Sequence, residues 1–131
     1  MSSEGLQRID EDECYLLVRG RSLGRVGVKL AEELVILPVY YAVLDRDIVF
    51  RTDPGTKLAA AVLGDRVAFE VDNAVPAWSV LFSGHAREIR DSGEQVSARE
   101  RLGNDWPAGE RDSLVRIAVD RVSGRRLPPL R

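Results

Sequence analysis

The segment Phe50-Arg51-Thr52-Asp53-Pro54-Gly55-Thr56-Lys57-Leu58 places two cations and two hydroxyls around one tight turn. Arg51 offers a forked donor and Lys57 a compact positive charge, while Thr52 and Thr56 add hydroxyls. A strand ending near Thr52 and a helix starting near Pro54 would leave several helix N–H groups without intrahelical partners. Such an end attracts anions. Together these groups could satisfy the oxygens of one phosphate. Asp53 supplies a competing account, because it is a good N-cap and its charge would repel phosphate. The turn alone is compatible with both readings.

Other candidate chemistry is thinner. Glu70 and Asp72 share one face of a strand pattern and could act as an acid pair. His85, the single histidine, follows Gly84 in another strand pattern and reads as a surface or packing residue. Trp106-Pro107 falls in a loop pattern, where it could lean over a pocket or anchor the loop. The single Cys14 excludes an intramolecular disulfide and a multi-cysteine zinc site.

These residues need a scaffold, and 131 residues are enough for one domain, expected over 1–131. A hydrophobic content of 44% with 31% charged residues is an ordinary globular mixture. The net charge of −2 argues against nonspecific nucleic-acid binding. The polar, acidic start lacks a secretory pattern. The longest apolar run, residues 34–44, is short for a bilayer and holds Pro38. The expectation is a cytoplasmic protein with no nucleic-acid or membrane partner. Charge is uneven: residues 1–14 carry five acids and one arginine, and residues 111–131 carry six arginines and two aspartates. The C-terminal arginines read either as a solvated tail or as a surface packed on something anionic.

Residues 8–20 read as a short amphipathic helix, with acids in the first turn, Gly20 at the end, and Cys14, Leu17 and Val18 on one face. Strand patterns follow at 23–30, 33–45 and 48–52, with a hairpin turn at 45–47. Pro38 cannot donate to a ladder and is expected at an edge or bulge. Residues 53–64 read as a helix capped by Asp53 and ended by Gly64. Strands at 66–72 and 77–89 are expected to pair across the 73–76 turn. A surface helix at 92–103 and a last strand from 112 complete the chain. Many strands with few intervening helices suggest an antiparallel sheet curled into a small barrel.

In this order, residues 37–43, 48–61, 67–89 and 105–127 resemble the pyridoxamine 5′-phosphate oxidase-like family, and its small bacterial members most closely. The resemblance covers roughly residues 10–127. It implies a mainly β fold with flanking helices, an antiparallel split β-barrel of the FMN-binding type. It also implies a homodimer holding FMN in a groove between subunits. Pro38, Val39 and Tyr40 would approach the flavin ring, partly through backbone. Arg51 and Thr52 would line the ribityl and phosphate side, and Thr56 and Lys57 would bind the phosphate. Trp78 and Ser79 would lie along the ring or ribityl chain. Arg125 occupies roughly the place of an aromatic that, in larger relatives, reaches the partner's flavin. The chain is shorter than the oxidase proper and lacks its arginine-rich set and C-terminal substrate segment. The resemblance therefore implies a flavin site rather than oxidation of pyridoxamine phosphate.

A flavin needs apolar walls, donors near its ring carbonyls and cations for its phosphate. Tyr40, Tyr41 and Trp78 could be walls or core residues, and alternation puts the two tyrosines on opposite sides. The implied function is an oxidoreductase passing hydride from NAD(P)H to a small-molecule acceptor. The alternatives are a deazaflavin-dependent reductase, whose longer anionic cofactor tail calls for more cations, and a non-catalytic flavin or haem carrier or sensor. An oligonucleotide-binding barrel is disfavoured by the acidic charge balance.

Overall fold

A computed structural model describes residues 7–53, 59, 62–63, 65–103 and 113–129. In chain order the elements are β1 (Gln7–Ile9), α1 (Glu11–Arg19), β2 (Leu23–Leu30), β3 (Glu33–Leu44), β4 (Asp47–Thr52), β5 (Arg66–Ala74), β6 (Ala77–Glu88), α2 (Ser92–Leu102) and β7 (Ser113–Arg126). The strands run β1-β7-β4-β3-β2-β5-β6, and a further β6–β7 pairing closes the sheet into a barrel. All ladders are antiparallel. The expected split barrel with flanking helices is therefore the observed fold, but the expected 8–20 helix begins only at Glu11, because Arg8 and Ile9 belong to the short β1, which three residues gave little pattern to announce.

Period-two alternation decides what the barrel encloses. Val26 and Val28 of β2, Ile48 and Phe50 of β4, Val67, Phe69 and Val71 of β5, and Val80 and Phe82 of β6 are all buried in one core. Phe69 sits at its centre, edge-on to Tyr41 at 5.2 Å and stacked on Phe50 at 6.4 Å between ring centroids. Gly24 is required by this packing, since a Cβ there would overlap the Phe69 ring.

Helix α1 starts at Asp10, whose side chain accepts from the Glu13 N–H at 2.9 Å. It presses Cys14, Tyr15 and Val18 into the core. Tyr15 packs on Phe82 and donates its hydroxyl to the Arg46 carbonyl at 2.7 Å. Cys14 lies against Gly124, a structural place for a small apolar side chain. Helix α2, capped by Asp91, lies on the outside of the barrel. Its Ala98 joins Leu44, Val49, Ile89 and Leu114 in a second apolar cluster.

Most of the expected 53–64 helix lies outside the described residues. Ala59 and Val62 are buried and helical, and the Leu63 N–H donates to the Ala59 carbonyl at 3.2 Å, the spacing of an α-helical turn. The final strand is longer than its expected first half, running for 14 residues with a bulge of its own at Asp120, opposite Ser83/Gly84 of β6. Among the described residues, no helix is long and apolar enough to cross a membrane.

Candidate functional site

The edge expected at Pro38 is real, and it shapes the site. β3 pairs with β2 from Glu33 to Tyr40, but with β4 only from Tyr41 to Leu44. At Pro38 the strand is therefore an edge on its β4 side, where a missing N–H breaks no ladder. Beyond Tyr40 the pairing changes sides, and β2 contributes only the Ser22 carbonyl, which accepts from the Tyr41 N–H at 3.0 Å.

The outward side chains of β3 are Leu34, Ile36, Pro38 and Tyr40, and all are exposed. Leu34 is 85%, Ile36 71% and Tyr40 69% exposed, an apolar stripe that water meets directly. Tyr41 faces the opposite way, buried, and donates its hydroxyl to the Val18 carbonyl at 2.5 Å. Burial pushes its phenol pKa well above the ordinary range. The alternation argument thus separates the two tyrosines as expected: Tyr40 is available as a wall, and Tyr41 belongs to the core. Val39 also faces inward and packs against the core, which leaves it only backbone with which to meet a ligand outside.

Arg51 is half-buried at the end of β4, and its guanidinium donates to the Gly103 carbonyl at 2.8 Å, tying the C-cap of α2 to this strand. Thr52, the last residue of β4, is only 3% exposed. Its Oγ1 has no hydrogen-bond partner among the described residues. A buried hydroxyl in that condition costs free energy until an acceptor or donor reaches it. Thr56 and Lys57 lie outside the described residues, so the phosphate end of the sequence motif is represented by Arg51 and Thr52. Trp106 lies outside them as well.

Trp78, Ser79 and Arg125 stand on a different wall. Trp78 is 6% exposed and packs in the core, so its indole is not an open wall for a ligand on the barrel's surface. Ser79 faces outward beside it and donates to Glu70 Oε2 at 2.9 Å. Arg125 is exposed and stands opposite Ser79 in the β6–β7 register. In the strand order around the barrel, β6 lies across from β3. The structure therefore sets Pro38 and Tyr40 on β3 and Arg51 and Thr52 on the adjoining β4, with Ser79 on the strand across from β3 and Arg125 beside it on β7.

The acid pair is also real. Arg25 Nη1 reaches Glu70 at 3.3 Å and Asp72 at 3.1 Å. Burial, followed by the hydrogen bond with Asp72, raises the Glu70 pKa. His85 is exposed. Part of the C-terminal basic cluster packs on the chain's own acids: Arg116 on Asp47 and Glu94, and Arg126 on Glu13.

An antiparallel barrel in which β3 passes from pairing with β2 to pairing with β4 is a split β-barrel. Residues 10–126 match the family described as "Pyridoxamine 5'-phosphate oxidase", and the chain belongs to this pyridoxamine 5′-phosphate oxidase-like family. An uncharacterized protein of Mycobacterium tuberculosis is 33% identical over 135 residues, covering 96% of this chain and 88% of its own length. Among solved structures, the FAD binding protein from Mycobacterium smegmatis superposes with a TM-score of 0.87 at 31% identity, covering 95% of this chain and all (100%) of that one. A FAD-binding protein from Mesorhizobium loti shares the fold, with a TM-score of 0.78 at 23% identity, covering 95% of this chain and 98% of that one.

Proposed function

We propose that the protein is a flavin-dependent oxidoreductase that holds FMN between two copies of the chain and passes hydride from NAD(P)H to a small acceptor. One observation carries the reading: Tyr40 and Pro38 are open to solvent on β3, and at the end of the adjoining β4 the buried Thr52 hydroxyl lacks a partner among the described residues. These groups suit a flavin. Tyr40 and Pro38 offer a surface for a planar ring. Arg51 offers cationic donors, and Thr52 Oγ1 would be satisfied by a ribityl hydroxyl or a phosphate oxygen. When bound, a flavin supplies hydride and electron transfer. The chain's residues bind it, orient it and keep water from one side.

The placement of the remaining residues supports the two-copy arrangement. Ser79 stands on β6, across the strand order from the β3 that carries Tyr40, with Arg125 beside it. A two-fold partner could present the second set, and the exposed Leu34 and Ile36 beside Tyr40 supply an apolar face for the contact.

The test is direct. Purified protein is expected to carry, or to bind at micromolar concentration, a flavin released on denaturation. FMN, FAD and riboflavin are titrated in parallel, since the Mycobacterium smegmatis relative is described as FAD-binding. Colourless protein that binds none of them overturns the proposal. Reduction by NADPH with and without added acceptors separates an enzyme from a carrier. Lys57→Ala is expected to weaken FMN more than riboflavin, and equal effects would mean that Lys57 does not read the phosphate.

A further inference from the structure

The change of pairing at Tyr40 leaves a second opening in the molecule. Residues 41–44 of β3 have β4 on one side and no ladder on the other. The Tyr41 N–H points to that open side, so alternation turns the N–H and C=O of Val43 the same way. The C-terminal ends of α1 and α2 flank the gap. A cavity of about 290 Å³ lies there, lined by Val18, Tyr41 and Leu102 on its apolar part and by Arg21, Ser22 and Arg101 on its polar part. A second cavity of about 410 Å³ adjoins it, sharing Arg19, Arg21 and Ser22.

No carboxylate lines either cavity among the described residues. The contrast with the rest of the surface is informative. Arg25, Arg46, Arg66, Arg87 and Arg116 each meet carboxylates. Arg21 instead donates to the side-chain carbonyl of Asn73 at 3.0 Å, and Arg19 donates to the Asp45 backbone carbonyl at 3.4 Å and stacks over Tyr15. Neutral acceptors orient these guanidinia without neutralising them. The helix ends do not cancel them either. Each contributes at most about half an elementary negative charge. The Leu17 and Val18 carbonyls of α1 are already taken by the Gly20 and Arg21 N–H groups and the Tyr41 hydroxyl. Three guanidinium charges outweigh two such ends.

We propose that this cleft binds a small organic oxyanion, a carboxylate or a phosphate monoester. Arg21, Arg101 and the Ser22 hydroxyl hold the charged group, and the apolar body rests on Ala42 and Leu102, the partly exposed apolar residues of the lining. The site goes beyond the flavin reading and does not depend on it. All its groups come from one chain, and its charged groups stand outside β3, the strand that carries the Pro38–Tyr40 wall.

Benzoate, phenyl phosphate and neutral benzyl alcohol are titrated into the full chain at constant ionic strength, followed by amide NMR shifts. Saturable shifts at residues 21–23 and 42–43 with at least one of the two anions, and none with the alcohol, are expected. The two anion arms distinguish carboxylate from phosphate. Arg21→Gln and Arg101→Gln are each expected to weaken binding by about tenfold, while Arg90→Gln, an exposed arginine paired with Glu88, leaves it unchanged. Shifts that do not saturate with either anion, or that are equal in all three variants, overturn the proposal. Displacement of the bound anion by FMN also overturns it, by assigning the cleft to the flavin site. A protein that binds no flavin but passes the anion test would refute the flavin reading alone.

Discussion

At the scale of single residues, Arg116 carries more of the structure than its place in a basic C-terminal stretch suggests. Its guanidinium reaches Asp47 at 2.8 Å and Glu94 at 2.9 Å, and all three side chains are mostly buried. Truncating it takes the guanidinium from the largely buried Asp47 carboxylate, while Glu94 keeps its pairing with Arg87. Arg116→Ala is expected to lose about 2–4 kcal/mol in urea unfolding, whereas Arg90→Ala on the open surface should change little. Glu94 sets a pH dependence. The hydrogen bond from Arg87 holds its carboxyl below the usual range, and Arg116 adds to the effect. A depressed folded pKa means stability that is present above the ordinary carboxylate value and lost as pH falls through the folded one. The stability gap between the wild-type chain and Glu94→Gln should therefore be widest near neutrality and close in acid, below about pH 4. A gap independent of pH would show that Glu94 acts through shape alone. Arg51 belongs to this scale too. Arg51→Ala should weaken flavin binding by about tenfold or more, and the Gly103 contact makes Arg51→Lys a poor substitute, because a single ammonium cannot serve a carbonyl and a ligand as a planar fork does.

At the scale of elements, glycine separates the tolerant strand positions from the intolerant ones. A Cβ on Gly84 would run into the Ala118 backbone at the β6–β7 bulge, where no flexible side chain can yield. Gly84→Ala is expected to destabilise by about 1–3 kcal/mol. Gly27 meets only the Ala68 Cβ at 3.7 Å, an ordinary contact, so Gly27→Ala should be neutral or slightly stabilising. Parallel thermal melts decide the matter, and equal shifts for the two would mean that the bulge adapts. Much at this scale was legible in the sequence. β2 spans Leu23–Leu30 as its alternation predicts, and α2 covers all but the last residue of the expected 92–103 helix. Strand β1 was not, because three residues carry no periodicity and its pairing depends on a β7 segment more than a hundred positions away.

At the scale of the whole molecule, the exposed β3 stripe is the feature to test. Leu34 and Ile36 face water in one chain, a placement that apolar side chains keep when another surface covers them. Ile36→Glu, alone or with Leu34→Glu, is expected to convert a dimer to a monomer by light scattering and to lose flavin along with the partner. The same variants should keep their far-ultraviolet circular dichroism, since these side chains add nothing to the barrel core. A wild-type chain that is monomeric at micromolar concentration and still binds flavin would refute the shared site.

The amino-acid order by itself determined the alternation that sorts core from surface, the acidic first turn and Gly20 end of α1, the opposed faces of Tyr40 and Tyr41, and the apolar face of α1 that carries Cys14. These are local consequences of periodicity and side-chain chemistry. Only the tertiary structure decided that Trp78 turns into the core while Ser79 stands on the strand across from that of Tyr40, with Arg125 beside it on β7. It alone showed that β3 changes partners at Tyr40 and opens a cleft lined by Arg21 and Arg101. Those placements depend on strand order and ladder length, which are set by long-range pairing and closure of the sheet, and no window of neighbouring residues contains them.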